Sequence, residues 1–117
     1  MRLKIVRIAD RGVPNAERLH ISVLADSNAC FYAVFGTFAI SPTVVRALPA
    51  FAYWFTNAPL RAGDNVILYS CPGVPSNRQR PDGNTDHFFF CGLPQTIWGD
   101  PNSRAVLIEI NAWETGG

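Results

Sequence analysis

The chain has 117 residues, enough for one domain that buries its own core without disulfides or a bound metal. Ten Lys and Arg against nine Asp and Glu leave a net charge of +1, so there is no general basic footprint for nucleic acid. Hydrophobic residues make up 48 % and charged residues only 16 %. With charge below the usual ~25 %, much of the surface is neutral or apolar and calls for cover.

No apolar run approaches the ~20 residues of a membrane-spanning helix. The start, Met1 to Arg7, lacks the apolar stretch of a secretion signal. No membrane association and an intracellular location are therefore expected.

Leu3 to Ile8 reads as a first strand, with Arg2, Lys4, Arg7 and Arg11 as a local basic stretch continued by Arg18. Leu19, Ile21 and Val23 alternate with Arg18, His20 and Ser22, the period of a half-buried strand. Cys30 to Phe35 is apolar on both faces. Ser41-Pro42-Thr43-Val44-Val45 predicts one helical turn, with Ser41 as cap and Pro42 at the first helical position, stopped by Pro49. Phe51 to Phe55 is aromatic and strand-like. Val66 to Tyr69 follows the turn signal Ala62-Gly63-Asp64, and His87 to Cys91 follows Pro81-Asp82-Gly83-Asn84. Arg104 to Ile110 closes the series, with Val106, Ile108 and Ile110 on one face. About seven strands at this spacing predict an all-β, immunoglobulin-like β-sandwich spanning residues 1–117 as a single domain. The longest loops, 71–86 and 92–103, hold much of the Pro, Gly, Asn and Asp, and loops of this kind are where binding residues gather.

Two segments resemble the lamin tail domain family. Leu60-Arg61-Ala62-Gly63-Asp64-Asn65-Val66 carries an L-x-A-G-x-x-V pattern leading into a strand. Ile97-Trp98-Gly99-Asp100-Pro101 followed by Ala105-Val106-Leu107-Ile108 is similar to that family's tryptophan turn and next strand. The resemblance covers roughly residues 60–110. It implies an immunoglobulin-like sandwich acting as an interaction module, with protein partners and weak DNA contact, and it implies no catalytic residues. The chain departs from lamins in having no coiled-coil rod, basic localisation run or prenylation box.

Cys30, Cys71 and Cys91 show no C-x-x-C spacing, which argues against a structural zinc site. If strands 66–69 and 87–91 form a hairpin, Cys71 and Cys91 fall about 20 Å apart at ~3.3 Å per residue, too far for a disulfide. A Cys30–Cys91 bridge remains open, although the odd count favours three thiols. Asp82, Gly83, Asn84 and Asp86 resemble a fragment of a calcium loop, but the glycine and closing glutamate of the full pattern are missing. No metal or other cofactor is expected.

Arg78, Arg80, Asp82, His87 and Trp98 are the loop candidates for binding a protein partner. Trp98 reads equally as a contact or as a loop anchor. Arg2, Lys4, Arg7 and Arg11 are the candidates for a nucleic-acid alternative. A small hydrolase using Cys71 and His87 is the remaining alternative, lacking a third member and an oxyanion donor. Aromatics concentrate between Phe31 and Phe55, more than one buried face can absorb. That surplus points to self-association or to a partner on the 31–55 region. The terminal Gly116-Gly117 reads as a flexible end.

Overall fold

The computed structural model describes residues 1–117. Eleven strands follow in order: β1 (Leu3–Ala9), β2 (Arg18–Val23), β3 (Ser27–Asn28), β4 (Tyr32–Ser41), β5 (Val44–Val45), β6 (Phe51–Trp54), β7 (Pro59–Leu60), β8 (Asn65–Tyr69), β9 (Ser76–Gln79), β10 (Thr85–Phe90) and β11 (Ser103–Glu109). A single 3₁₀ turn, Ala29–Phe31, joins β3 to β4. The chain is all-β, and no helix is long and apolar enough to cross a membrane.

The first sheet has the order β1-β2-β8-β10-β9. In the second, β4 lies between β11 on one side and β6 and β5 on the other; β3 and β7 form a small third sheet. The period-two reading of 18–23 holds: Leu19, Ile21 and Val23 are buried, and the residues between them are half-buried. In β1 the pairing slips between Ile5 and Arg7. The slip leaves Val6 exposed and returns Ile8 to the core side with Leu3 and Ile5. An interrupted register with outward Lys4 and Arg7 discourages further pairing at this edge.

The core is one cluster of thirteen buried residues. Leu19, Ile21, Val66, Leu68 and Phe89 enter it from the first sheet, Tyr32 and Val34 from the second, Leu60 from β7, and Phe55 and Trp98 from the connections. Phe55 stacks edge-on against Phe89 and Tyr53, and Phe51 against Trp98.

Three sequence expectations are corrected. The helical turn at 41–45 is instead the two-residue turn Pro42-Thr43 of a β4–β5 hairpin. Pro42 suits the second position of a β-turn, and the β-branched Thr43, Val44 and Val45 favour extended backbone over helix. The strand at 66–69 does not form a hairpin with that at 87–91: β8 and β10 are parallel, from Asp86 opposite Asn65 to Phe90 opposite Tyr69. The 71–86 segment is not one loop, since it contains β9, which pairs antiparallel with the outer side of β10. The crossover 70–75 therefore passes the C-terminal end of β10. Gly73 makes this close approach feasible, because a Cβ there would lie 2.3 Å from the Phe90 ring, itself stacked on Tyr69.

Candidate interaction surface

Alternation along β4 sends Tyr32 and Val34 into the core and Ala33 and Phe35 to the outer face. The register sets Ala52, Phe35 and Val106 in one outward row across β6, β4 and β11, and Trp54, Ala33 and Ile108 in another. Inward, Tyr53 and Leu107 flank Val34. Both faces of the sheet are thus apolar, as the aromatic surplus required. Trp54 is held by its indole N–H, which donates to the Cys30 carbonyl at 2.8 Å. Trp113, from the segment after β11, meets it edge-on at 5.0 Å. Both remain about half exposed, at 46 % and 54 %.

The β4–β5 hairpin extends this sheet. Phe38, Ile40, Val44, Val45 and Leu48 are all exposed there, Ile40 and Leu48 by more than two thirds. The ribbon is tied down by the Thr37 hydroxyl donating to the Arg46 carbonyl and by Arg46 N–H donating to the Phe38 carbonyl. Five exposed apolar side chains within eleven residues form the densest uncovered apolar stretch of the chain.

The loop candidates fall into a different arrangement. Asp86 is buried at the start of β10, where it accepts from the Asn65 amide at 3.0 Å, Arg78 at 3.1 Å and Arg80 at 3.4 Å. Burial acts to raise its carboxyl, but these donors hold it below the usual carboxylate range. Arg80 also donates to the Gly63 carbonyl and to Asp82, which in turn accepts from Asn84 N–H. Arg78 is exposed and lies over the Phe88 ring at 5.6 Å. Of these candidates, only Arg78 and Asp82 are exposed.

His87 is buried, its Nε2 2.9 Å from Asp64 Oδ2. Asp64 also accepts from Arg61 N–H, the Asn84 amide and Thr85 N–H. Burial acts to raise the Asp64 carboxyl, but these donors together with His87 hold it far below its ordinary value. An ionised carboxylate only accepts, so in this contact the Nε2–H of His87 is the donor. The calcium-like residues thus form a hydrogen-bonded turn around two buried aspartates.

Trp98 presents no surface: it is fully buried. Its backbone N–H and that of Ile97 donate to Glu17, a fully buried carboxylate that also accepts from Gly12 N–H at 2.7 Å. Arg11 closes the same junction by donating to the carbonyls of Trp98, Asp100 and Ser103. Gly12, at φ +77°, lets the two loops touch at Gly99. Of the four N-terminal cations, Arg11 is thus committed to loop carbonyls and Arg2 donates to the Asp26 carbonyl, while Lys4 and Arg7 are exposed on β1. Arg18 is held by Asp10 and the Ala16 carbonyl.

All three cysteines are thiols. Cys71 lines a cavity of about 530 Å³ with Ser70, Pro72 and residues 93–96. The parallel register puts Cys71 beside Cys91, not 20 Å from it, and at the opposite end of β8 from His87. The two side chains of the hydrolase alternative are therefore not brought together.

No family model matches the chain, and no curated protein matches it. Sequence reasoning missed Glu17 and Asp64, whose neighbours become visible only when distant loops meet. The exposed hairpin left a signal in Phe38, Ile40, Val44 and Val45, which the helical reading of 41–45 obscured.

Proposed function

We propose that this chain is a non-catalytic interaction module that binds a protein partner through the outer apolar face of the β4 sheet and its β4–β5 hairpin. The observation that carries this reading is the exposed set Phe38, Ile40, Val44, Val45 and Leu48, contiguous in sequence with the aromatic strand β6. An uncovered ribbon of this composition gains by burial against another protein, at roughly 25 cal/mol per Å² of apolar surface removed from water. The loop alternative retains Arg78 and Asp82 as its exposed members.

The reading includes an immunoglobulin-like sandwich of the lamin-tail type. Its layers would be β1, β2, β8, β10 and β9 on one side and β11, β4, β5 and β6 on the other. The core drawn from both sheets supports it, as does Trp98, which the 92–103 loop buries in that core. The parallel β8–β10 pair departs from the antiparallel layers of that architecture.

Ile40→Asp and Leu48→Asp test the surface, since both side chains are exposed and their replacement spares the core. Tagged wild type is expected to retain a stoichiometric protein through nuclease treatment, and the double variant to lose it with an unchanged melting temperature. Equal recovery by both proteins, or recovery only of nuclease-sensitive material, would refute this surface. Light scattering on the same pair separates self-association from a different partner.

A further inference from the structure

Cys71 and Cys91 are separated in sequence by β9, β10 and their turns but are neighbours in space. Cys91 N–H donates to the Tyr69 carbonyl at 2.8 Å, and Gly92 N–H donates to the Cys71 carbonyl at 3.2 Å. A single backbone hydrogen bond linking adjoining residues brings the two Cα atoms within about 8 Å. Disulfides span ~4.4–6.8 Å between Cα atoms. The remaining adjustment falls on Gly92, which has φ +75° and open space around its Cα, and on the irregular residues around it. Cys71 lines the cavity, whereas Cys91 packs against the core. Cys30 belongs to neither group. Val23 and Gly63 bond across to each other at the Asp64 end of β8, so the chain leading to Cys30 leaves from the end opposite Cys71.

We propose that Cys71 and Cys91 form a reversible disulfide with a low-molecular-weight disulfide as oxidant, pinning the β8–β9 crossover to the segment that follows β10. The Cys71 thiolate attacks one sulfur of glutathione disulfide; the S–S bond breaks and one glutathione thiolate leaves. Cys91 then gives its proton to solvent and attacks Cys71 Sγ in the mixed disulfide, releasing the second glutathione. Two protein thiols lose two electrons, and one glutathione disulfide becomes two thiols. Cys71 reacts first because it borders the cavity. Burial, with Cys71 and Glu17 nearby, pushes the Cys91 thiol up to about 12, which leaves it a poor first nucleophile.

Incubation of the native protein with glutathione disulfide, followed by intact-mass measurement and peptide mapping, tests the proposal. Wild type and Cys30→Ser are expected to lose two hydrogens and to yield a cross-linked peptide pair containing Cys71 and Cys91. Cys91→Ser is expected to stop at a glutathione adduct on Cys71, and Cys71→Ser to give no intramolecular cross-link. A wild-type protein that remains unmodified, halts at the adduct, or links Cys30 instead would overturn it. The wild-type result decides by itself if a serine variant fails to fold.

Discussion

Glu17 shows how much one side chain can hold. Its carboxylate, removed from water, accepts three backbone N–H groups from Gly12, Ile97 and Trp98, and so joins two loops some eighty residues apart. Glu17→Ala would leave three donors unpaired at a buried junction, and a loss of ~3 kcal/mol is expected in urea unfolding. Glu17→Gln is expected to fall between, because its NH₂ group replaces an acceptor with a donor facing other donors. Gly73→Ala is a steric counterpart. The added methyl would enter the Phe90 ring space, and with Tyr69 stacked against that ring, a cost of about 1–3 kcal/mol is expected in the same measurement.

Asp64 and Asp86 give the molecule its acid response. Both carboxyls titrate below the ordinary value of 3.8 in the folded chain. As pH falls toward and below that value, the unfolded chain takes up protons that the folded chain does not, so stability drops on acidification. The stabilisation is complete above about pH 5. Asp64→Asn is expected to be less stable at neutral pH and to show a shallower loss between neutral and acid pH. Unfolding curves taken at several pH values would show it, and an acid limb as steep as wild type would count against Asp64 as its source.

At the scale of the elements, the strands divide by how local their instructions are. β2 follows from alternation alone, because half of its side chains face one core. β1 needs its register slip to keep Leu3, Ile5 and Ile8 inward, and the slip leaves Val6 outside. Val6→Lys is therefore expected to change stability by less than ~0.5 kcal/mol while further protecting the edge. β5 was hidden by local chemistry: Ser-Pro-Thr opens a helix or a turn equally well, and only the pairing of Val45 with Ala39 decides between them. The position of β10 was hidden for another reason. Consecutive strands joined by a turn-rich segment read as a hairpin, and nothing local signals that β9 would take the outer place beside β10.

At the scale of the whole molecule, the defining pairings are long-range. β11 closes on β4, and Arg11 reaches Ser103 across 92 residues. Loop-closure entropy must be met before such contacts form, so refolding in the range of ~milliseconds to seconds is expected by stopped-flow fluorescence. A microsecond phase carrying the full amplitude would contradict this topology. Truncation before Ser103 is expected to abolish cooperative unfolding, since it removes β11 from β4, the Ser103 carbonyl from Arg11 and the Glu109 acceptor from the Tyr32 hydroxyl.

The all-β class, most strand positions, the inward residues of β2 and an apolar surplus between Phe31 and Phe55 were legible in the chain alone. These follow from periodicity and composition, which act between near neighbours. The packed fold was needed to show that β8 and β10 run parallel, that Cys71 meets Cys91 rather than His87, and that Trp98 is an anchor beneath Glu17. It also decided that Arg80 and His87 serve two buried aspartates while Ile40 and Leu48 stand in solvent. Each of these depends on which distant segments lie side by side, and that is fixed by burying one common core rather than by any local run of residues.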